Sequence, residues 1–279
     1  MFKFIQPFVF SCFASFGWES VSLPSANATH IIMIRHAETT RNAEGKEIQG
    51  WIDDDAAQLN AKGKSQANEL GKALASRYKN EISVLYSSPL GRCMETSERI
   101  ANYFNNMLII KDQRFREMCH GQHDTMPFKE RNEFCLQRYA ELEKQFKEQF
   151  PDKALDRFFK WKINPLSERE IPLKRRENPL EGELETILQL FTRATSAIEE
   201  IGRKHPGETV LISSHAALIK TLADEAEYRE KKDSGPLPVY YEPKPTEPKA
   251  HVIPSNCTVY HFVYDESKLT FVGTENLLF

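Results

Sequence analysis

The chain has 279 residues, 40% hydrophobic and 28% charged, with 37 basic against 40 acidic side chains and a net charge of −3. This is an ordinary globular composition, long enough for one large domain or for a domain with a sizeable insertion. It excludes the overall basic field that nucleic-acid binders use, and past the N-terminus no apolar run of about 18 residues offers a membrane span.

Taken in chain order, the first segment stands apart. Residues 1–28 carry one early lysine, an apolar run over 4–18 and small residues ending in Ala26-Asn27-Ala28. This pattern predicts a secretory signal peptide with an A-x-A cleavage site, and a periplasmic or secreted protein; without cleavage the chain stays cytoplasmic. Val9-Phe10-Ser11-Cys12 is a poor match to a lipoprotein cleavage box. Removing residues 1–28 leaves Cys93, Cys119, Cys135 and Cys257. Their irregular spacings, with no zinc-like CxxC, predict neither a metal site nor a defined disulfide.

Strands are predicted at 30–34 (HIIMI), 82–88 (ISVLYSS), 107–111 (MLIIK), 209–214 (TVLISS), 257–264 (CTVYHFVY) and 269–273 (LTFVG). Helical spacing joins Ala67, Leu70, Leu74, Ala75 and Tyr78, and again Ile187, Leu190, Phe191, Ala194, Ile198 and Ile201. Short strands apolar on both faces, alternating with helices, predict an α/β three-layer sandwich with a mostly parallel central sheet. The last two strands flank Asp265-Glu266-Ser267-Lys268, which predicts a terminal hairpin. Residues 127–177 are highly charged and broken by Pro151 and Pro165, so they read as an inserted, initially helical cap. Six prolines over 233–254 read as an extended loop. Residues 29–279 thus form a single domain with one cap and one loop.

Ligands of an open α/β sheet bind at the carboxyl ends of its strands, and here those ends carry chemistry. The first strand runs into Arg35 and His36, and the second ends in Ser87-Ser88-Pro89 with Arg92 opening the next helix. The third is followed by Arg114, Arg116 and Glu117, and the fourth ends in Ser213-Ser214-His215. Clustered cations are costly without an anion, and phosphate is the anion that arginine binds with two parallel hydrogen bonds.

Five segments then carry a resemblance. IIMIRHAETTRN (31–42), QLNAKGKSQA (58–67), LYSSPLGRCMETSERI (85–100), FREMCHG (115–121) and VLISSHAALIK (210–220) resemble, in order, the motifs of the histidine phosphatase superfamily, the phosphoglycerate mutase-like family. The departures are Ala37 and Ala216 where the family usually has glycine, and Asn60 for threonine. The resemblance implies that His36 is a nucleophile forming a phosphohistidine. It implies that Arg35, Arg92 and His215 hold the phosphoryl oxygens, with Asn42 as a secondary contact. Glu117 becomes the general acid for the leaving alkoxide and the base for water. The chemistry agrees. An attacking imidazole must be neutral, and flanking arginines depress its pKa, while arginines also supply the charge stabilisation that a metal otherwise gives. No cofactor is expected.

Other residues compete for roles. His120 and His123 flank the Glu117 loop as possible ligand contacts, and Asp53-Asp54-Asp55 reads as a solvated loop. Cys93 to Arg99 spells C-x5-R, the cysteine-phosphatase spacing, but it falls in a predicted helix interior without the anion-binding loop that chemistry needs. Within 153–176, eight basic side chains stand against three acidic ones, including Arg175 and Arg176. If that face lines the pocket it favours a strongly anionic substrate. The expected partner is a phosphorylated small molecule or phosphoprotein. The expected function is a metal-independent phosphatase, with a phosphoglycerate mutase-type transferase and a non-catalytic phosphate-binding protein as alternatives.

Overall fold

A computed structural model describes residues 24–151, 184–232 and 254–278. The segment 1–23, the basic part of the cap at 152–177 and all but the last residue of the proline-rich loop at 233–254 lie outside the described residues. Residues 25–28 pack onto the domain: Ser25 donates to Asp265 at 2.8 Å, Gly207 N–H donates to Asn27 O at 3.1 Å, and Ala28 is buried.

The described strands are β1 (Thr29–Arg35), β2 (Ile82–Ser87), β3 (Ile109–Lys111), β4 (Thr209–Ser214), β5 (Val259–Asp265) and β6 (Lys268–Glu275). They form one sheet in the order β3-β2-β4-β1-β5-β6. The first four strands pair in parallel, while β5 and β6 join antiparallel. The fold is the expected α/β sandwich, its mixed sheet flanked by the helices α1 (Thr40–Glu44), α2 (Ala61–Tyr78), α3 (Gly91–Ala101), α4 (Phe128–Gln149), α5 (Ile187–Lys204) and α6 (Ala216–Lys232).

The unbroken apolar run of β1 has a simple cause. Ile31 and Met33 face one core layer, where α5 contributes Leu190, Ala194, Ile198 and Ile201 and α6 contributes Leu218 and Leu222. Ile32 and Ile34 face the other, against Ala67, Leu70 and Leu74 of α2 and Ile100 of α3. Each such buried leucine, isoleucine or methionine side chain contributes about 1.5–3 kcal/mol.

The sequence departures are accommodated. Asn60 caps α2 by accepting from Gly63 N–H at 2.7 Å, a task asparagine performs as well as threonine. Neither Ala37 nor Ala216 has a positive φ, so a methyl costs no backbone strain at either place. The hairpin forms through Glu266 and Ser267, both left-handed at φ 46 and 68, as a two-residue turn matching the strand twist requires. Two strands start later than predicted. Asn105 and Asn106 take positive φ, so Met107 and exposed Leu108 precede β3 rather than belong to it. Cys257, at φ 63, bends the chain before β5.

Register decides what faces what. Arg35 lies beside Ser214, and Ser87 beside Ser213, so β1, β2 and β4 end abreast at one rim.

Candidate active site

His36 leaves β1 with its backbone held at both ends. Its N–H donates to Ser214 O at 3.0 Å, and its carbonyl accepts from Asn256 Nδ2 at 2.9 Å. The next residue is fixed too, because Ala37 N–H donates to Thr96 Oγ1 at 3.1 Å and Thr96 in turn donates to Arg92 O at 2.7 Å. The ring is buried, with Nδ1 2.8 Å from Ala37 O. A carbonyl accepts only, so Nδ1 carries the proton and the lone pair sits on Nε2. Burial, then Arg92, then Arg35 hold the imidazole well below its usual pKa. A neutral imidazole is thus secured first by desolvation and second by the arginines.

His215 precedes α6 with its ring centroid 5.3 Å from that of His36. Its Nδ1 accepts from Arg92 Nε at 3.2 Å and its Nε2 lies 2.8 Å from Ser88 Oγ. Burial and the neighbouring Arg92 keep it neutral as well. Arg92, fully buried, gives Nη2 to Gly50 O at 2.7 Å and Nη1 to Ile52 O at 3.2 Å. Arg35 reaches Pro254 O through Nη1, while its buried Nε has no partner among the described residues. Glu117 is the negative charge these guanidiniums share. It is buried, and its carboxylate accepts Met118 N–H at 2.8 Å and Ala217 N–H at 3.3 Å, the latter at the start of α6. Burial raises its pKa against the pull of those N–H groups and of Arg92.

The five rim residues therefore meet in one buried cluster. Asn42 stands behind it: its amide accepts from Asn256 at 3.0 Å and donates to Gln49 at 3.3 Å. Two guanidinium groups and two neutral imidazoles around the Glu117 carboxylate leave a net positive cluster suited to an anion.

A model of the histidine phosphatase superfamily (branch 1) matches residues 31–241, which contain all of these residues except Pro254 and Asn256. The chain belongs to that superfamily. It is 30% identical over 208 residues to a metal-independent phosphoserine phosphatase of Arabidopsis thaliana, covering 74% of this chain and 72% of the relative. It is 29% identical over 196 residues to phosphoglycerate mutase-like protein 4 of the same plant, covering 70% of each. The fold matches a phosphoglycerate mutase from Bacillus anthracis with a TM-score of 0.59 at 20% identity, over 90% of this chain and 94% of that one. Family and phosphatase relatives together make the chain a phosphoric monoester hydrolase.

The remaining candidates of this histidine phosphatase fall to other tasks. Cys93 and Arg99 both lie in α3; the Cys93 thiol is fully buried and pushed up to about 12, and Arg99 pairs with Glu95 at 2.9 Å. The C-x5-R spacing is a helical coincidence. Asp53 accepts Gly91 N–H at 3.0 Å at the start of α3, and Asp54 pairs with Arg41 at 2.7 Å. These aspartates therefore fasten the loop they lie in. His120 is buried with Arg131 and His123 as its electrostatic neighbours, and desolvation lowers it to about 4.

Sequence reading missed four supports of the superfamily site. Asn256 lies in an unmatched stretch beyond the proline-rich loop. Ser88 was visible inside its motif but not given the task of orienting His215. Trp51 donates its indole N–H to Glu117 O. Arg193, on α5, donates to the carbonyls of Arg114, Arg116 and Glu117 at 2.6–2.8 Å and pairs with Glu185 at 2.6 Å. Arg193 flanks the regular apolar stripe of α5 without breaking it, so the sequence offered no signal for it.

Proposed function

We propose that the chain hydrolyses small phosphomonoesters without a metal, through a phosphohistidine on Nε2 of His36, with phosphoserine-like carboxylate-bearing esters as first candidates. The observation that carries this reading is the 2.8 Å contact of His36 Nδ1 with Ala37 O, which leaves Nε2 unprotonated beside the guanidiniums of Arg92 and Arg35. In the first step the Nε2 lone pair attacks phosphorus, and the ester oxygen leaves with the Glu117 proton. In the second, Glu117 takes a proton from water, the hydroxide attacks the phosphohistidine, and Nε2 departs with its lone pair. Arg35 and Arg92 bear the charge on the transferring oxygens.

Two features support a small substrate. His36 and Arg92 are 3% and 0% exposed, a depth that suits a metabolite better than a phosphoprotein. The relatives include phosphoserine phosphatases of Arabidopsis thaliana and of Hydrogenobacter thermophilus. A mutase is the second reading, favoured by the phosphoglycerate mutase-like relative.

The test is phosphate release from phosphoserine, 3-phosphoglycerate and p-nitrophenyl phosphate with chelator present, for the full chain and its His36→Ala variant. Chelator-resistant release abolished by the substitution supports the proposal. Isomerised 3-phosphoglycerate without release favours the mutase. A folded protein with neither activity leaves only a binding role.

A further inference from the structure

The segment Gly50–Trp51–Ile52 lies between two charged side chains. On one side Asp124 accepts its three consecutive N–H groups, Gly50 at Oδ1 (3.0 Å) and Trp51 and Ile52 at Oδ2 (2.9 and 3.0 Å). On the other side the Gly50 and Ile52 carbonyls accept from Nη2 and Nη1 of Arg92. Together with the bond from Nε to His215, three of the five guanidinium N–H groups are thereby committed. The plane of the guanidinium is fixed, and two N–H groups remain to meet an anion. Trp51 extends the same segment to the general acid through its indole bond to Glu117 O.

We propose that Asp124 is a positioning residue for Arg92. It acts through the peptide groups of 50–52 and touches no substrate itself. This rests on the reading of Arg92 as a phosphoryl ligand. The peptide groups explain how a half-buried carboxylate orients a guanidinium it does not bond: the Trp51 N–H held by Asp124 shares its peptide plane with the Gly50 carbonyl that accepts from Nη2, and the held Ile52 N–H fixes the residue whose own carbonyl, in the next plane, accepts from Nη1. Gly50 is part of the device. A Cβ there would lie 2.1 Å from Asp124 Oδ1 and 2.9 Å from Met118 O, so only glycine lets the carboxylate approach this closely. Gly50→Ala therefore displaces the same segment while leaving Asp124 chemically intact.

The experiment compares wild type, Asp124→Ala, Asp124→Asn, Gly50→Ala, Arg92→Ala and the Arg92→Ala/Asp124→Ala double variant, all as the full chain and checked for folding by circular dichroism. Two quantities are read: binding of inorganic phosphate by calorimetry, and kcat/KM for p-nitrophenyl phosphate. Misplacing a positioned group by about 1 Å costs on the order of 100-fold in rate, so Asp124→Ala and Gly50→Ala are expected to lose about that much in kcat/KM and to bind phosphate more weakly. Asp124→Asn, which keeps one acceptor oxygen, falls between them and wild type. In the Arg92→Ala background the further loss from Asp124→Ala shrinks to within about twofold, because groups acting in series are not additive. Additive losses, or Asp124 variants that bind phosphate as wild type does, overturn the proposal. If Asp124→Ala does not fold, Asp124→Asn carries the same comparison. Wild type that binds no phosphate would instead refute the phosphoryl reading of Arg92, a separate failure from this one.

Discussion

Replacing Glu117 with glutamine isolates the proton that the leaving group needs. The carboxylate accepts two backbone N–H groups, one at each oxygen. Glutamine offers a single acceptor oxygen, which keeps the 2.8 Å bond to Met118, and turns its NH2 toward Ala217 N–H at 3.3 Å. One hydrogen bond is lost and its donor is left facing an NH2, which costs about 1–3 kcal/mol of stability and lowers Tm by about 2–4 °C per kcal/mol in a domain of this size. The enzyme therefore stays folded at assay temperature, and any larger loss of rate is chemical. Losing a general acid slows the affected step about 10²–10⁴-fold, but only where the departing oxygen requires protonation. A serine alkoxide does, whereas a nitrophenolate leaves as the anion. The assay is kcat/KM, which reports the steps up to alcohol release. Phosphoserine is expected to lose about 10²–10⁴-fold and p-nitrophenyl phosphate less than about tenfold. Because burial raises the Glu117 pKa, kcat/KM for the alkyl ester falls as pH rises through that raised value. That alkaline limb vanishes in the variant. Equal losses on both substrates would refute Glu117 as the acid.

Two further predictions concern the scaffold. A Cβ at Gly202 would lie 2.1 Å from the Tyr264 ring where α5 crosses β5. Gly202→Ala should therefore cost about 1–3 kcal/mol through overpacking, read as a lower Tm with kcat unchanged at permissive temperature; an unchanged Tm would show that the helix shifts freely. The second is acid sensitivity. His30, His36, His120 and His215 all have pKa values lowered from 6.5 by burial, His120 to about 4. The unfolded chain takes their protons first, so stability falls with pH below 6.5 by about 1.4 kcal/mol per unit for each imidazole. Glu117 and Asp124, raised by burial, act with the opposite sign and offset part of the loss as pH falls through their own values. Urea midpoints at pH 7, 6 and 5 should decline, and less so in His120→Asn; a flat series would mean these imidazoles are solvated.

The sequence made some parts of this molecule legible and hid others for a physical reason. β1 was readable because burial on both faces demands an apolar run, and α5 because its stripe of leucine, alanine and isoleucine keeps the period of one buried face. That His36, Arg92, Glu117 and His215 come together was readable because residues that follow the carboxyl ends of parallel strands share one rim. Asn256, Asp124 and Arg193 were not. Each works through main-chain groups: Asn256 through His36 O, Asp124 through three N–H groups, Arg193 through three carbonyls. A main-chain partner imposes no residue type on its own position, so nothing in the segments 50–52 or 114–117 announces what grips them.

The same distinction separates the two kinds of arginine in the site. Arg92 is recognised by motif, yet its direction is set by carbonyls that any residues could supply. Arg193 matches no motif, yet it fixes the segment that carries Glu117. Removing Arg193 would leave three carbonyls without their cation and Glu185 without this pair; the pair is partly buried, so the loss reaches at most the roughly 3–5 kcal/mol of a fully buried one. That is a large share of the roughly 5–15 kcal/mol by which a native domain is stable. Glu117 thus lies in a segment held by an arginine of α5, so its position depends on how α5 packs as much as on the turn that follows β3.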